Sequence, residues 1–376
     1  AEAFDVPFWF PIAAVPVGDK TGEPIRIGIT HAHHFYTKRN LLALAALWHR
    51  LAAEPKGRFA ITSVLIKTAS LLHNIGLKNG NINLAGALPN ALYIPSNIAE
   101  RNIFDLVAGK AEDLANANLD ALDIAQLVTT GSFSQLGAVG MPTNSVDYIF
   151  IDPPFGSNLH YSELSFIWEA WLGVTTNTTL EAIESRSQKK TIDVYRQLMT
   201  GCFQQAFQAL KPGRWMTVEF SNTGAAVWNS IQTALSDAGF VVGNVSMLHK
   251  GQGTFNSQTN STAVKQDLVI SAYKPDGRFE RRFNENVATE EGVWEFIRAH
   301  LHYLPVVKKV GKSAKLEKVA DRDARILFDR LVAYYVRSGF AVPLNSGEFQ
   351  QGLAERFSCR DGLFFLPEQA AEYDKY

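Results

Sequence analysis

The stretch SVDYIFIDPPFGSNLHYSELSFIWEAWLG, residues 145–173, decides the reading of this chain. Val146–Ile151 is a short run of β-branched and aromatic residues, the pattern of a buried strand. It stops abruptly at Asp152-Pro153-Pro154, where proline fixes φ and removes backbone donors. After a polar loop, Ser162–Leu172 has helical spacing. The motif thus follows a strand, and parallel sheets bind ligands at the carboxyl ends of their strands.

Towards the C-terminus the periods alternate. Tyr195–Leu210 predicts a helix stopped by Lys211-Pro212-Gly213, and Arg214–Phe220 predicts a strand. Ala225–Ala238 predicts a helix, and Phe240–Leu248 and Val264–Tyr273 predict two strands with no helix between them. Strands alternating with helices imply an α/β fold with a mostly parallel sheet, and the last pair implies one antiparallel strand at its end. Towards the N-terminus, Thr37 predicts the cap of a helix over 38–51. A second helix is expected over Ile61–Ile75, a Gly/Asn-rich loop over 76–95, and further helix between Ile98 and Leu122. Past Pro275 the chain turns charge-dense, with a helix expected over Ala320–Ser338. We therefore expect a catalytic domain over residues 1–275 and a small, mainly helical, basic appendage over 276–376.

Asp-Pro-Pro-Phe suits one kind of chemistry. An exocyclic base amine is a poor nucleophile, because its lone pair is delocalised into the ring. A side-chain carboxylate and a backbone carbonyl that accept the two amine hydrogens localise that pair. Asp152 supplies the carboxylate, the proline segment a carbonyl without competing donors, and Phe155 a face on which a base can stack. A base inside a duplex reaches such a pocket only when flipped out. The alternative is a rigid turn after a strand.

The run SVDYIFIDPPFGSNLHYSELSFIWEAWLG, then ALKPGRWMTVEFSN, AVWNSIQTAL, AGF and KQDLVISAYKP, resembles site-specific DNA methyltransferases of the N6-adenine/N4-cytosine amino type. The resemblance covers roughly residues 25 to 275. It implies a Rossmann-like sheet, S-adenosylmethionine (SAM) as cofactor, DNA as partner, and Asp152, Pro153, Pro154 and Phe155 as the residues holding the target amine. An Asp-Pro-Pro start favours adenine N6 over cytosine N4. Guanine-N2 methylation of ribosomal RNA, or an inert methylase-like subunit that binds nucleic acid, are the alternatives. Such enzymes also carry a glycine-rich SAM loop after their first strand. Gly76–Gly86 and Gly251-x-Gly253 do not have that context, so we expect the first part of the catalytic domain to lie outside this sequence.

Other residues enter more weakly. Phe35-Tyr36-Thr37 resembles the Phe-x-Thr segment that touches the methionine part of SAM, and a helix start there favours its carboxylate. A plain cap with packed aromatics is the alternative. His160 and Tyr161 follow the motif and could line the pocket; Glu219 and Asn222 end the next strand. Arg186, Lys189 and Lys190 form a basic cluster suited to phosphate, and Lys308, Lys309, Lys312, Lys315 and Lys318 a longer basic run. Trp168 and Trp171 read as core. His31 and His33 lack the further ligands of a metal site, so no metal is expected.

Bulk properties set bounds. Net charge is −1, so nucleic-acid contact rests on local patches and not on a global field. The two cysteines, Cys202 and Cys359, form no disulfide framework and read as reduced cytoplasmic thiols. No stretch reaches the roughly 18 apolar residues of a membrane span.

Overall fold

The computed structural model describes residues 6–78, 81–117, 140–220, 225–249, 266–276, 289–310, 315–337 and 340–376, with a few single positions besides. By packing, the chain forms two compact units. One comprises residues 1–129 and 157–191, the other residues 130–156 and 192–376.

The first unit contains α1 (Gly22–Arg26), a 3-10 turn (Ala32–Phe35), α2 (Lys38–Arg50), α3 (Pro55–Val64), β1 (Asn74–Lys78), β2 (Asn81–Gly86), α4 (Ile103–Asn116), α5 (Tyr161–Leu164) and α6 (Phe166–Leu172). Helix α2 starts where its sequence predicts, with the Thr37 side chain accepting from the Asn40 N–H. Its Leu41, Leu44 and Trp48 lie on one stripe and pack with Phe35, Ile61, Ile167 and Trp171 in a shared core. The helix expected over 61–75 instead spans Pro55–Val64, because proline at the first helical position is pre-set for helix, and turns and the start of β1 occupy the rest of the expected span. The first part of the stretch expected as loop, to Gly86, belongs to the antiparallel hairpin β1–β2, while 87–95 is irregular as expected. In the sequence, Asn-Gly at 79–80 is a hairpin signal that glycine content alone hides. Helix α4 is narrower than expected and is capped by Asn102.

The second unit opens with β3 (Val146–Ile151), α7 (Ile192–Ala209), β4 (Leu210–Phe220), α8 (Ala225–Asp237), β5 (Val241–His249) and β6 (Gln266–Tyr273). The sheet order is β3-β4-β6-β5. Strands β3 and β4 pair in parallel, and β6 is antiparallel to both β4 and β5. Three strands therefore share a direction and one opposes them, in a mixed α/β arrangement. The opposing strand is not at the end of the sheet, as its place in the sequence suggests. It returns from β5 into the gap between β4 and β5.

Lys211-Pro212-Gly213 also does more than stop a helix. Helix α7 ends at Ala209 and β4 begins at Leu210, so the three residues form a bulge inside the strand. Gly213 takes a φ of +74°, which glycine alone adopts without strain. The buried Lys274 ammonium donates to the carbonyls of Phe207 and Leu210, capping α7, and to Asn144 just before β3. One cation thus ties the end of α7 to the start of the strand that leads to Asp152.

The remaining elements are α9 (Glu290–Tyr303), β7 (Lys308–Val310), β8 (Lys315–Glu317), α10 (Ala324–Arg337), α11 (Ser346–Arg356), β9 (Ser358–Arg360), β10 (Leu363–Phe365) and α12 (Pro367–Tyr373). Their core joins Trp294, Ile297, Leu331 and Phe349 to Val241 and Tyr273 of the sheet. The buried Arg322 guanidinium donates to the carbonyls of Leu301, Leu304, Pro305 and Phe364, and burial lowers its pKa to about 10. Among the described residues, no helix is long and apolar enough to cross a membrane.

Candidate functional site

Asp152 leaves the carboxyl end of β3, whose last residue, Ile151, pairs with Val218 of β4. Parallel pairing therefore brings Glu219 and Phe220 alongside the motif. Asp152 is exposed, Pro153 is buried, and Pro154 and Phe155 are half-buried. The Phe155 ring meets Phe220 edge-to-face at 5.1 Å, a favoured aromatic geometry. The Tyr195 hydroxyl, on the first turn of α7, donates to the Pro154 carbonyl at 2.5 Å. Burial pushes the Tyr195 pKa up, against a lowering contribution from the Gly156 N–H. Gly156 is buried with a φ of +67°, so the turn closes on a residue without a side chain. The arrangement is a solvent-facing carboxylate on a fixed backbone, with an aromatic face beside it.

Asp147 lies at the other end of β3 and serves the fold. Lys211 and Arg214 pair with it, and the Lys211 hydrogen bond lowers its pKa. Tyr148 and Phe150 share one face of β3 and are exposed. Sequence reasoning missed Tyr195, because its stripe with Met199 and Phe203 has the spacing of any packed helix face. It also missed Phe220, for which only the sheet register supplies the signal.

The structure places the other candidates as follows. Phe35 and Tyr36 are core residues; the Tyr36 hydroxyl accepts from Trp171 Nε1 at 3.1 Å, and burial raises its pKa. The Thr37 hydroxyl donates to Glu100, which Arg39 also holds through two nitrogens. Arg186 and Lys189 are exposed, whereas the buried Lys190 ammonium donates to the carbonyls of Thr178 and Glu181. Desolvation lowers the Lys190 pKa. Tyr161 is exposed and Lys318 pairs with Asp361. Asn222, Lys312 and Gly251-x-Gly253 lie outside the described residues, and Gly76–Gly86 belongs to the β1–β2 hairpin. Trp171 is buried in the core; Trp168 is half exposed and donates to the Thr62 carbonyl.

His160 is buried, with Nε2 3.1 Å from Asp19 Oδ2. Ser185 also donates to that carboxylate. Glu163, equally buried, accepts the backbone N–H groups of Asp19, Lys20 and Thr21. Asp19, His160 and Glu163 bring donor atoms within 4.8 Å of one another, the spacing of a metal site. Three N–H groups already engage the Glu163 oxygens, however, and the cluster reads as a clamp on the 18–21 turn. Gly18 permits it, since a Cβ there would lie 2.2 Å from the Glu163 carboxyl carbon. His31, His33 and His34 gather with ring centroids 4.3–5.6 Å apart. Burial, with the neighbouring imidazoles, lowers the His33 pKa.

No known family matches the sequence, and no curated protein does. Solved structures align with parts of it. One is a candidate DNA modification methylase from Thermus thermophilus, 16% identical over 39% of this chain and 52% of that one, with a TM-score of 0.25. The same protein complexed with S-adenosyl-L-methionine is 15% identical over 39% and 53%, with a TM-score of 0.23. The [4+2]-cyclase SpnF is 14% identical over 46% and 63%, with a TM-score of 0.23. The aligned part of this chain spans about half the length of the first two. At these scores the likenesses carry no argument about this chain.

Proposed function

We propose that this chain belongs to a SAM-dependent methyltransferase acting on an exocyclic base amine of DNA, adenine N6 by preference, in a Rossmann-like fold. The observation that carries the reading is the turn at Asp152. An exposed carboxylate ends a parallel strand, on a proline backbone whose second carbonyl is already held by Tyr195. Of the two proline carbonyls, we assign that of Pro153 to the substrate. Asp152 and Pro153 then accept the two amine hydrogens, and the nitrogen lone pair localises away from the ring. Phe155 offers the base a face, and its contact with Phe220 keeps that face in place. Glu219, one residue beyond the Ile151–Val218 pair, is assigned to the rim of the same site, while Arg186 and Lys189 are assigned to phosphate.

SAM, when bound, supplies an electrophilic methyl group. The residues that suit it are Phe35, Tyr36 and Thr37 at the start of α2, whose first turn carries no acid and includes Lys38 and Arg39. A thirteen-residue helix presents its positive end there, and the methionine carboxylate would take the place that the Glu100 carboxylate holds beside Thr37 and Arg39. Since the Phe35 and Tyr36 rings are buried, their contribution is through the backbone.

The test is methyl transfer from labelled SAM by the full-length protein, with DNA or RNA as acceptor and the modified base identified. The reading expects N6-methyladenine in DNA and its loss in Asp152→Ala. Transfer to RNA alone would move the activity to the ribosomal alternative, and undiminished transfer by Asp152→Ala would reject the site.

A further inference from the structure

Two acceptors can localise an amine lone pair only if both keep one orientation, and small misplacements at a reacting centre cost orders of magnitude in rate. The carboxylate of Asp152 and the carbonyls behind it belong to one turn, so whatever fixes that turn fixes the acceptors. Tyr195 does so. Its hydroxyl donates to the Pro154 carbonyl at 2.5 Å, fastening the peptide group between Pro154 and Phe155.

The hydroxyl is not needed for packing. Tyr195 is fully buried on α7, in line with Met199 and Phe203, and a phenylalanine would fill the same space. A buried hydroxyl costs free energy unless hydrogen-bonded, and that of Tyr195 has its partner in the turn. Here the hydroxyl donates to a backbone carbonyl of the motif itself. Tyr335 offers a contrast. Its hydroxyl is buried in the same unit and has no hydrogen-bond partner.

We propose that Tyr195 is the positioning residue of this site, holding the Pro154 carbonyl so that Asp152 and Pro153 stay aimed at one amine. The proposal rests on the reading of Asp152–Phe155 as an amine-holding turn. It acts through the backbone, so its loss lowers the rate of the bound complex and leaves binding alone.

The experiment is steady-state and single-turnover methyl transfer by full-length wild type, Tyr195→Phe and Tyr335→Phe. For Tyr195→Phe, kcat is expected to fall about tenfold or more, with KM for DNA and SAM unchanged. Tyr335→Phe, which also removes a buried hydroxyl, is expected to keep the wild-type kcat. Circular dichroism measures the folded fraction of each variant. Wild-type kcat in Tyr195→Phe overturns the proposal, as does a loss explained by the unfolded fraction or a rise in KM alone. A wild type that methylates no nucleic acid, or an active Asp152→Ala, instead rejects the site and Tyr195's role with it.

Discussion

Asp152 and Glu163 flank one short loop in the sequence, and the fold treats them in opposite ways. Asp152 ends a strand of the second unit and faces solvent, while a neighbouring hydroxyl restrains its backbone. Glu163 lies buried in the first unit, where three backbone N–H groups engage its oxygens. Beside it, His160 Nε2 lies 3.1 Å from the Asp19 carboxylate, to which Ser185 donates. Both segments combine a carboxylate with ordered backbone. What separates the two carboxylates is burial: one lies at an exposed strand end and the other inside a core.

The contrast breaks most visibly if the two carboxylates are removed in turn. Asp152→Ala should reduce kcat by about a hundred- to a thousandfold, equivalent to roughly 3–4 kcal/mol of transition-state stabilisation. Its thermal midpoint should stay close to wild type, because an exposed side chain is lost; calorimetry beside the transfer assay reads both. Glu163→Ala should do the reverse. It leaves three N–H groups without their acceptor and should lower stability by about 3 kcal/mol in urea titration. A stable Glu163→Ala with lost activity would instead make that cluster part of a site.

Gly18→Ala sharpens the same point with a smaller effect. A Cβ placed 2.2 Å from the Glu163 carboxyl carbon must displace the turn or the side chain, at a cost of about 2 kcal/mol. An unchanged thermal midpoint would show that the 18–21 turn is not clamped.

The second unit has an enclosed polar group of its own, which pH can probe. His300 is fully buried against Tyr273, and burial, with Arg330 and Arg322, lowers its pKa from 6.5 to about 3. The unfolded chain therefore binds this proton at a higher pH than the folded one. The stabilising effect is complete above 6.5 and is lost as pH falls towards 3. Over that window stability should drop by about 1.4 kcal/mol per pH unit from this residue. Denaturant titrations between pH 7 and 4 measure the slope, and His300→Asn should flatten it.

The structure separates what residue pattern carries from what it cannot. Strand β3, helix α2 with its Thr37 cap, and the alternation from α7 to β6 are legible because their information is local: period, cap and breaker lie within a few residues. The hairpin β1–β2 is misread when its glycines and asparagines are weighed as composition and not as a turn between strands. The position of β6 between β4 and β5 is not legible at all, since strand order follows from which gap the returning chain can fill.

At the site the division is similar. Sequence by itself determined the chemistry on offer, a carboxylate, two prolines and an aromatic ring after an apolar strand. It also placed His160 and Lys190 among candidates on residue type alone. Only tertiary structure decided which groups were left to act. It buried His160 against Asp19 and Lys190 against two carbonyls, and it set Phe220 and Tyr195 beside the motif from elements far along the chain. The physical reason is that hydrogen-bonding capacity is a property of residue type, but its use depends on neighbours that only folding brings within reach.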